Sequence, residues 1–154
     1  RIAIIGNIAS GKSTIADKVN KVCDGISLIS IDDYRVKNVG HTREGEETAR
    51  YEFIRDIKES QYSLIECVGY GKLYNQIQGL IDYTILIECD PSACMDRYLK
   101  RAYHVPLPTS WDLSIDDSLS KIHKYHNKLT VDHRARSDVD AIEQIQSIFK
   151  GVLF

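Results

Sequence analysis

Apolar residues along this chain fall alternately into short unbroken runs and into helical spacing. Ile2 to Ile5, Ser27 to Ile31, Ser63 to Val68 and Tyr83 to Cys89 are rich in Ile, Leu and Val without clean alternation, as expected of strands buried on both faces. A weaker run, Leu129 to Val131, predicts a fifth strand. Helical patterns lie between the runs: residues 12 to 23, about 46 to 59 with Ala49, Phe53 and Ile57 in register, 91 to 102, 115 to 128 with Ile115, Leu119 and Ile122, and 138 to 149 with Val139, Ile142 and Ile145. Strand and helix in strict alternation imply an α/β domain with a mostly parallel sheet covered on both faces.

Boundary residues support this division. Asp90-Pro91 offers a cap followed by proline at the first helical position, where its missing N–H costs nothing. Ser114 with Asp117 and Ser137 with Asp140 have the spacing of reciprocal helix caps, and Gly151 is placed to end the last helix. Residues 103 to 113 form the longest irregular stretch, and a lid is expected over about 97 to 117. The 154 residues read as one domain.

The first apolar run leads directly into Gly6-Asn7-Ile8-Ala9-Ser10-Gly11-Lys12-Ser13, which is G-x-x-x-x-G-K-S, followed by Thr14 and a helical pattern with Ile15, Val19 and Val22. Strand, glycine loop and helix in this order form a phosphate cradle: loop N–H groups turn inward and the helix adds the positive end of its dipole. Lys12 is expected to reach the β- and γ-phosphates, and the Ser13 hydroxyl to sit on Mg²⁺. Gly6 to Thr14 are thus the candidate nucleotide contacts, with ATP and Mg²⁺ as cofactors.

Composition changes this picture little. Hydrophobic content of 43% and charged content of 27% are ordinary for a globular protein, and no apolar run approaches a membrane span. Cys23, Cys67, Cys89 and Cys94 form no C-x-x-C pair; reduced thiols and a cytoplasmic location are expected. Residues 97 to 136 hold eight Lys or Arg against four Asp, whereas the rest of the chain is net negative. That basic segment could face a polyphosphate.

Ligands of parallel sheets bind beyond the carboxyl ends of the strands. The second run ends in Asp32-Asp33-Tyr34-Arg35, residue types that suit a general base, a metal contact through water and an acceptor clamp. Glu66, near the end of the third run, is a candidate second acidic group near Mg²⁺ or the acceptor. Arg97 and Arg101 stand four apart, on one helix face at the start of the lid, where they could close on a transferring phosphoryl group. His123 and His126 read as surface residues, and His133-Arg134-Ala135-Arg136 as a segment after the last strand against which an adenine could pack.

The phosphate loop, the D-D-x-R motif at Asp32 to Arg35, and Arg97 with Arg101 followed by Val105-Pro106 resemble the P-loop kinases, most closely the kinase domain of phage polynucleotide kinase. The resemblance implies a five-stranded parallel sheet in the order 2-3-1-4-5. It also implies that Asp32 is the base toward a hydroxyl, that Arg35 contacts an acceptor phosphate, and that Arg97 and Arg101 are lid arginines; Asp33 and Glu66 join the acceptor side. The stretch Glu66 to Gly71 departs from the polynucleotide kinase motif, and the lid segment with Trp111 is longer.

Together these features predict a kinase that moves the ATP γ-phosphoryl group to an acceptor hydroxyl. The leading acceptor is the 5′-hydroxyl of a nucleic acid, with a nucleoside, nucleotide or small metabolite as the alternative. A nucleotide-binding regulatory module is the reading from another class, although the guanine-reading N-K-x-D pattern of GTPases is missing.

Overall fold

The computed structural model describes residues 1–40, 42–100 and 115–153. Its elements in chain order are β1 (Ile2–Gly6), α1 (Lys12–Val22), β2 (Ser27–Ser30), α2 (Ile31–Asn38), α3 (Arg43–Glu59), β3 (Ser63–Cys67), α4 (Gly71–Ile77), β4 (Tyr83–Ile87), α5 (Pro91–Lys100), α6 (Ile115–Lys128), β5 (His133–Ala135) and α7 (Asp138–Leu153). The strands form one sheet in the order β2-β3-β1-β4-β5, and every neighbouring pair is parallel. This is the order that the sequence resemblance implied.

Two-sided burial explains the unbroken apolar runs. Alternate residues of the central strands point to opposite faces. Ile2 and Ile4 join Leu64 and Ile85 under Ile15 and Val19 of α1 and Ala141, Ile145 and Phe149 of α7. Ala3 and Ile5 join Ile29 and Ile65 under Phe53 and Ile57 of α3 and Leu73 and Ile77 of α4. A third cluster lies beyond the strand ends, where Ile8 and Ala9 of the phosphate loop pack with Cys94 of α5 and Leu119 and Ile122 of α6. The carboxyl end of the sheet therefore has a hydrophobic floor of its own.

Four expectations need correction. Strict alternation fails because two helices, α2 and α3, follow β2 before the next strand, and the interval before β4, where the periodicity placed no helix, holds α4. The fifth strand is His133–Ala135, paired with Ile85 to Ile87, and Leu129 and Val131 instead pack as loop residues on the second core cluster. His133 to Ala135 is thus the last strand itself, and Arg134 and Arg136 both pair with Glu88. The last helix continues through Gly151 to Leu153, since one glycine costs a helix only about 1 kcal/mol and the packed face of α7 outweighs it.

The Ser137 cap forms as expected, its Oγ accepting from the Asp140 N–H at 3.2 Å. At the start of α5, the Asp90 carbonyl accepts from the Cys94 N–H. Ser114 lies outside the described residues. All four cysteines are free, with Cys67 and Cys94 buried. Among the described residues no helix is long and apolar enough to cross a membrane.

Candidate active site

The loop from Gly6 to Gly11 leaves β1 and enters α1 through backbone conformations suited to anion binding. Gly11 caps the helix at φ 96°, a left-handed angle that a side chain disfavours, and, being glycine, offers the first turn no side-chain acceptor. The first N–H groups of α1 and the helix dipole point toward the cavity lined by Ala9 to Ile15. Ala9 is held at φ 58°, the kind of stored backbone strain that gathers at ligand sites.

Ala9, Ser10, Gly11, Lys12, Ser13 and Thr14 line a cavity of about 780 Å³. Gly6 admits the loop, because a Cβ there would lie 2.5 Å from Ser10 Oγ. Among the described residues that buried Oγ has no hydrogen-bond partner, which leaves one polar atom of the cradle unsatisfied. The side chains of Asn7 and Ile8, two of the expected nucleotide contacts, pack elsewhere. The Asn7 carboxamide turns away to donate to the Leu119 carbonyl of α6 at 2.9 Å, and Ile8 enters the hydrophobic floor.

Glu66 is where the sheet brings the site together. It sits near the end of β3 opposite Ile4 of β1, 1% exposed, and accepts from Ser13 Oγ at 3.3 Å and from Ser30 Oγ. Lys12 Nζ lies 3.8 Å away and also donates to the Asn7 carbonyl at 3.1 Å. Burial pushes the Glu66 carboxyl above its ordinary pKa, an effect that Lys12 opposes and the charge of Asp32 reinforces. Hard oxygens on Ser13 and Glu66 suit Mg²⁺.

The D-D-x-R motif lies within α2, with Asp32 and Asp33 in its first turn and Arg35 in its last. Asp32 is partly exposed and accepts from Arg35 NH1 at 3.3 Å. Asp33 is exposed, and its carboxyl is raised first by desolvation and then by Asp32 and Asp17. Arg35 is 8% exposed, and its Nε and NH2 donate to Glu46 of α3 at 3.1 Å. Glu46 also accepts from Arg50 Nε at 2.8 Å. Two guanidinium groups thus share one buried carboxylate, and both line a second cavity of about 310 Å³ with Lys72 and Lys121. Among the described residues no carboxylate lines this cavity.

Arg97 reaches the phosphate loop, its NH1 donating to the Ser10 carbonyl at 3.1 Å. Arg101 lies outside the described residues, as does most of the expected lid. Arg50, Lys72 and Lys121 were not singled out from the sequence; only the net positive segment hinted at Lys121. His126 is a correction. It is 4% exposed rather than on the surface, and its Nε2 lies 3.1 Å from the Gly69 carbonyl. A carbonyl can only accept, so Nε2 carries the ring proton.

Several solved structures have this architecture. Shikimate kinase from Aquifex aeolicus superposes with a TM-score of 0.68 at 19% identity, covering 100% of this chain and 98% of that one. A gluconokinase from Sinorhizobium meliloti 1021 gives 0.61 at 15%, covering 99% and 95%. A chain of the Pnkp1/Rnl/Hen1 RNA repair complex gives 0.62 at 16%, covering 84% of this chain and 46% of that one. No protein-family model and no curated protein sequence matches the chain. At these identities the likeness establishes the fold, which is that of the P-loop kinases.

Proposed function

We propose that the protein is an ATP- and Mg²⁺-dependent kinase whose acceptor carries both a hydroxyl and an anionic group. The observation that carries this reading is a pair of cavities beyond the carboxyl ends of the strands of one sheet, one after β1 and β4 and the other after β3. One is built around an anion-binding loop and the other is lined by Arg35, Arg50, Lys72 and Lys121. Asp32 stands at the start of α2, close enough to Glu66 for their charges to interact.

In this reading Lys12 and the N–H groups of α1 hold the donor phosphates. Ser13, with Glu66 behind it, would hold Mg²⁺, which when bound would neutralise charge on the phosphates. Asp32 accepts the proton of the acceptor hydroxyl while its oxygen bonds to the γ-phosphorus and the bond to the ADP oxygen breaks. Arg97, with Arg101, faces the equatorial oxygens, where charge spreads during transfer.

The acceptor cavity has room for one nucleotide unit or a small acid. A 5′-hydroxyl of a nucleic acid stays the leading acceptor, its neighbouring phosphate placed on Arg35 and Arg50. A kinase of small hydroxy acids is the second reading, favoured by the cavity's size; two structures of this fold are named for shikimate and gluconate. The test is transfer from γ-labelled ATP to 5′-hydroxyl oligonucleotides, nucleoside 3′-monophosphates, nucleosides, shikimate, gluconate and glycerol. Transfer that favours anionic acceptors over nucleosides and glycerol supports the proposal. Equal transfer to charged and uncharged acceptors overturns the anionic part, and no transfer to any of them overturns the kinase reading.

A further inference from the structure

Helix α6 touches both halves of the site through one face. Leu119 and His126 are seven residues apart, two helical turns, and so point the same way. At the first position the Leu119 carbonyl accepts from Asn7 Nδ2 at 2.9 Å, while Asn7 Oδ1 accepts from the next loop N–H, Ile8, at 2.9 Å. At the second, His126 Nε2–H donates to the Gly69 carbonyl at 3.1 Å. Beside it the rings of Tyr125 and Tyr70 meet edge-on with centroids 5.3 Å apart. Leu119 and Ile122 fill the interval against Ile8 and Ala9.

Both ends of this strut are tightly held. Gly69 sits at φ 74°, and a Cβ there would come within 2.6 Å of Ile5. The turn carrying its carbonyl is therefore pressed against β1, and its next residues, Tyr70 to Leu73, line the acceptor cavity. The far end of α6 is fixed by Arg134, whose NH2 donates to the carbonyls of His126 and Leu129. A helix with so little slack cannot shift at the phosphate loop without moving the Gly69 turn.

We infer that His126 is a positioning residue of the acceptor site. Through α6 it locks the Val68–Lys72 turn to the phosphate loop, so that filling the donor cavity orders the acceptor cavity. The inference rests on the kinase reading for the identity of the two cavities. Coupling of this kind changes the ordering of one site when the other is filled, commonly by about fivefold or more.

Amide hydrogen exchange of residues 68 to 72, with and without saturating MgADP, tests it. The wild-type chain should show exchange slowed about fivefold or more by MgADP. His126→Gln, whose amide nitrogen can replace Nε2–H, should retain most of the effect. His126→Phe, which keeps a ring but no donor, should lose it, with MgADP affinity falling less than about threefold because the loop contacts remain. Tyr125→Leu removes the second contact and should weaken the response even if the Phe variant folds poorly. A turn indifferent to MgADP in the wild type, or an unchanged response in both His126→Phe and Tyr125→Leu, overturns this inference alone. Failure of the wild type to bind MgADP overturns the kinase reading and this inference with it.

Discussion

Lys12 Nζ lies 3.8 Å from Glu66 Oε1, so the loop lysine and the buried carboxylate at the end of β3 form one charged unit, their side chains 9% and 2% exposed. Each limits the desolvation cost of the other. Lys12→Ala should abolish transfer and weaken MgATP binding, and it should also cost stability, about 3 kcal/mol, by leaving Glu66 without its cation. Calorimetric titration and urea unfolding read the two effects separately. Full turnover in this variant would remove Lys12, and with it the phosphate-loop reading, from the donor site.

Asp32→Asn keeps the shape of the side chain and its contact with Arg35 but cannot take a proton at neutral pH. Turnover should fall by roughly 10² or more with ATP affinity little changed. A matching loss of ATP binding would assign Asp32 to metal or to structure instead.

The Arg97 guanidinium already rests on the phosphate loop at Ser10. Arg97→Ala should lower kcat far more than it raises the dissociation constant for ATP, because its contact strengthens as charge spreads over the moving group. Arg101→Ala should behave alike. Equal changes in both constants would make Arg97 an ordinary binding residue.

Arg50 gives a cleaner probe of the acceptor than Arg35. Arg35 is buried on Glu46 and Asp32, so Arg35→Ala should destabilise the fold by about 3 kcal/mol as well as impair binding. The Arg50 side chain is 25% exposed, and Arg50→Ala should chiefly raise KM for a phosphate-bearing acceptor. If KM rises equally for an acceptor without phosphate, Arg50 is not an anion contact.

His126 gives the stability a pH dependence of known sign. Burial lowers its pKa from the ordinary 6.5, with Lys12 and His123 acting in the same direction and the Gly69 and Val68 carbonyls against it. Below pH 6.5 the unfolded chain takes up a proton that the folded chain resists, so this contribution is complete above 6.5 and is lost as the pH falls. Urea midpoints at neutral and mildly acidic pH should differ less in His126→Gln than in the wild type. Identical differences would show that other groups control the acid limb.

The sequence alone determined the features whose physics is local. Eight contiguous residues carry the phosphate loop, and Ile4, Ile65 and Ile85 sit in apolar runs that only doubly covered strands require. Where pattern and burial diverge, the chain could not be read in this way. Helix α2 has little apolar periodicity and buries only Ile31 and Arg35, so its helical state was hidden. Strand β5 spans three residues, His133 to Ala135, placed by backbone pairing with β4, while the more apolar Leu129 and Val131 pack as loop.

Tertiary structure decided the partners of buried polar groups. Glu46 meets Arg35 across the α2–α3 packing, Glu66 meets Lys12 and Ser13 across adjacent strands, and His126 meets Gly69 across 57 positions of chain. A lone polar residue reads as surface because exposure is its cheapest state. Its burial is tolerated only where the fold delivers a partner from a distant segment, and that delivery is set by the packing of whole elements.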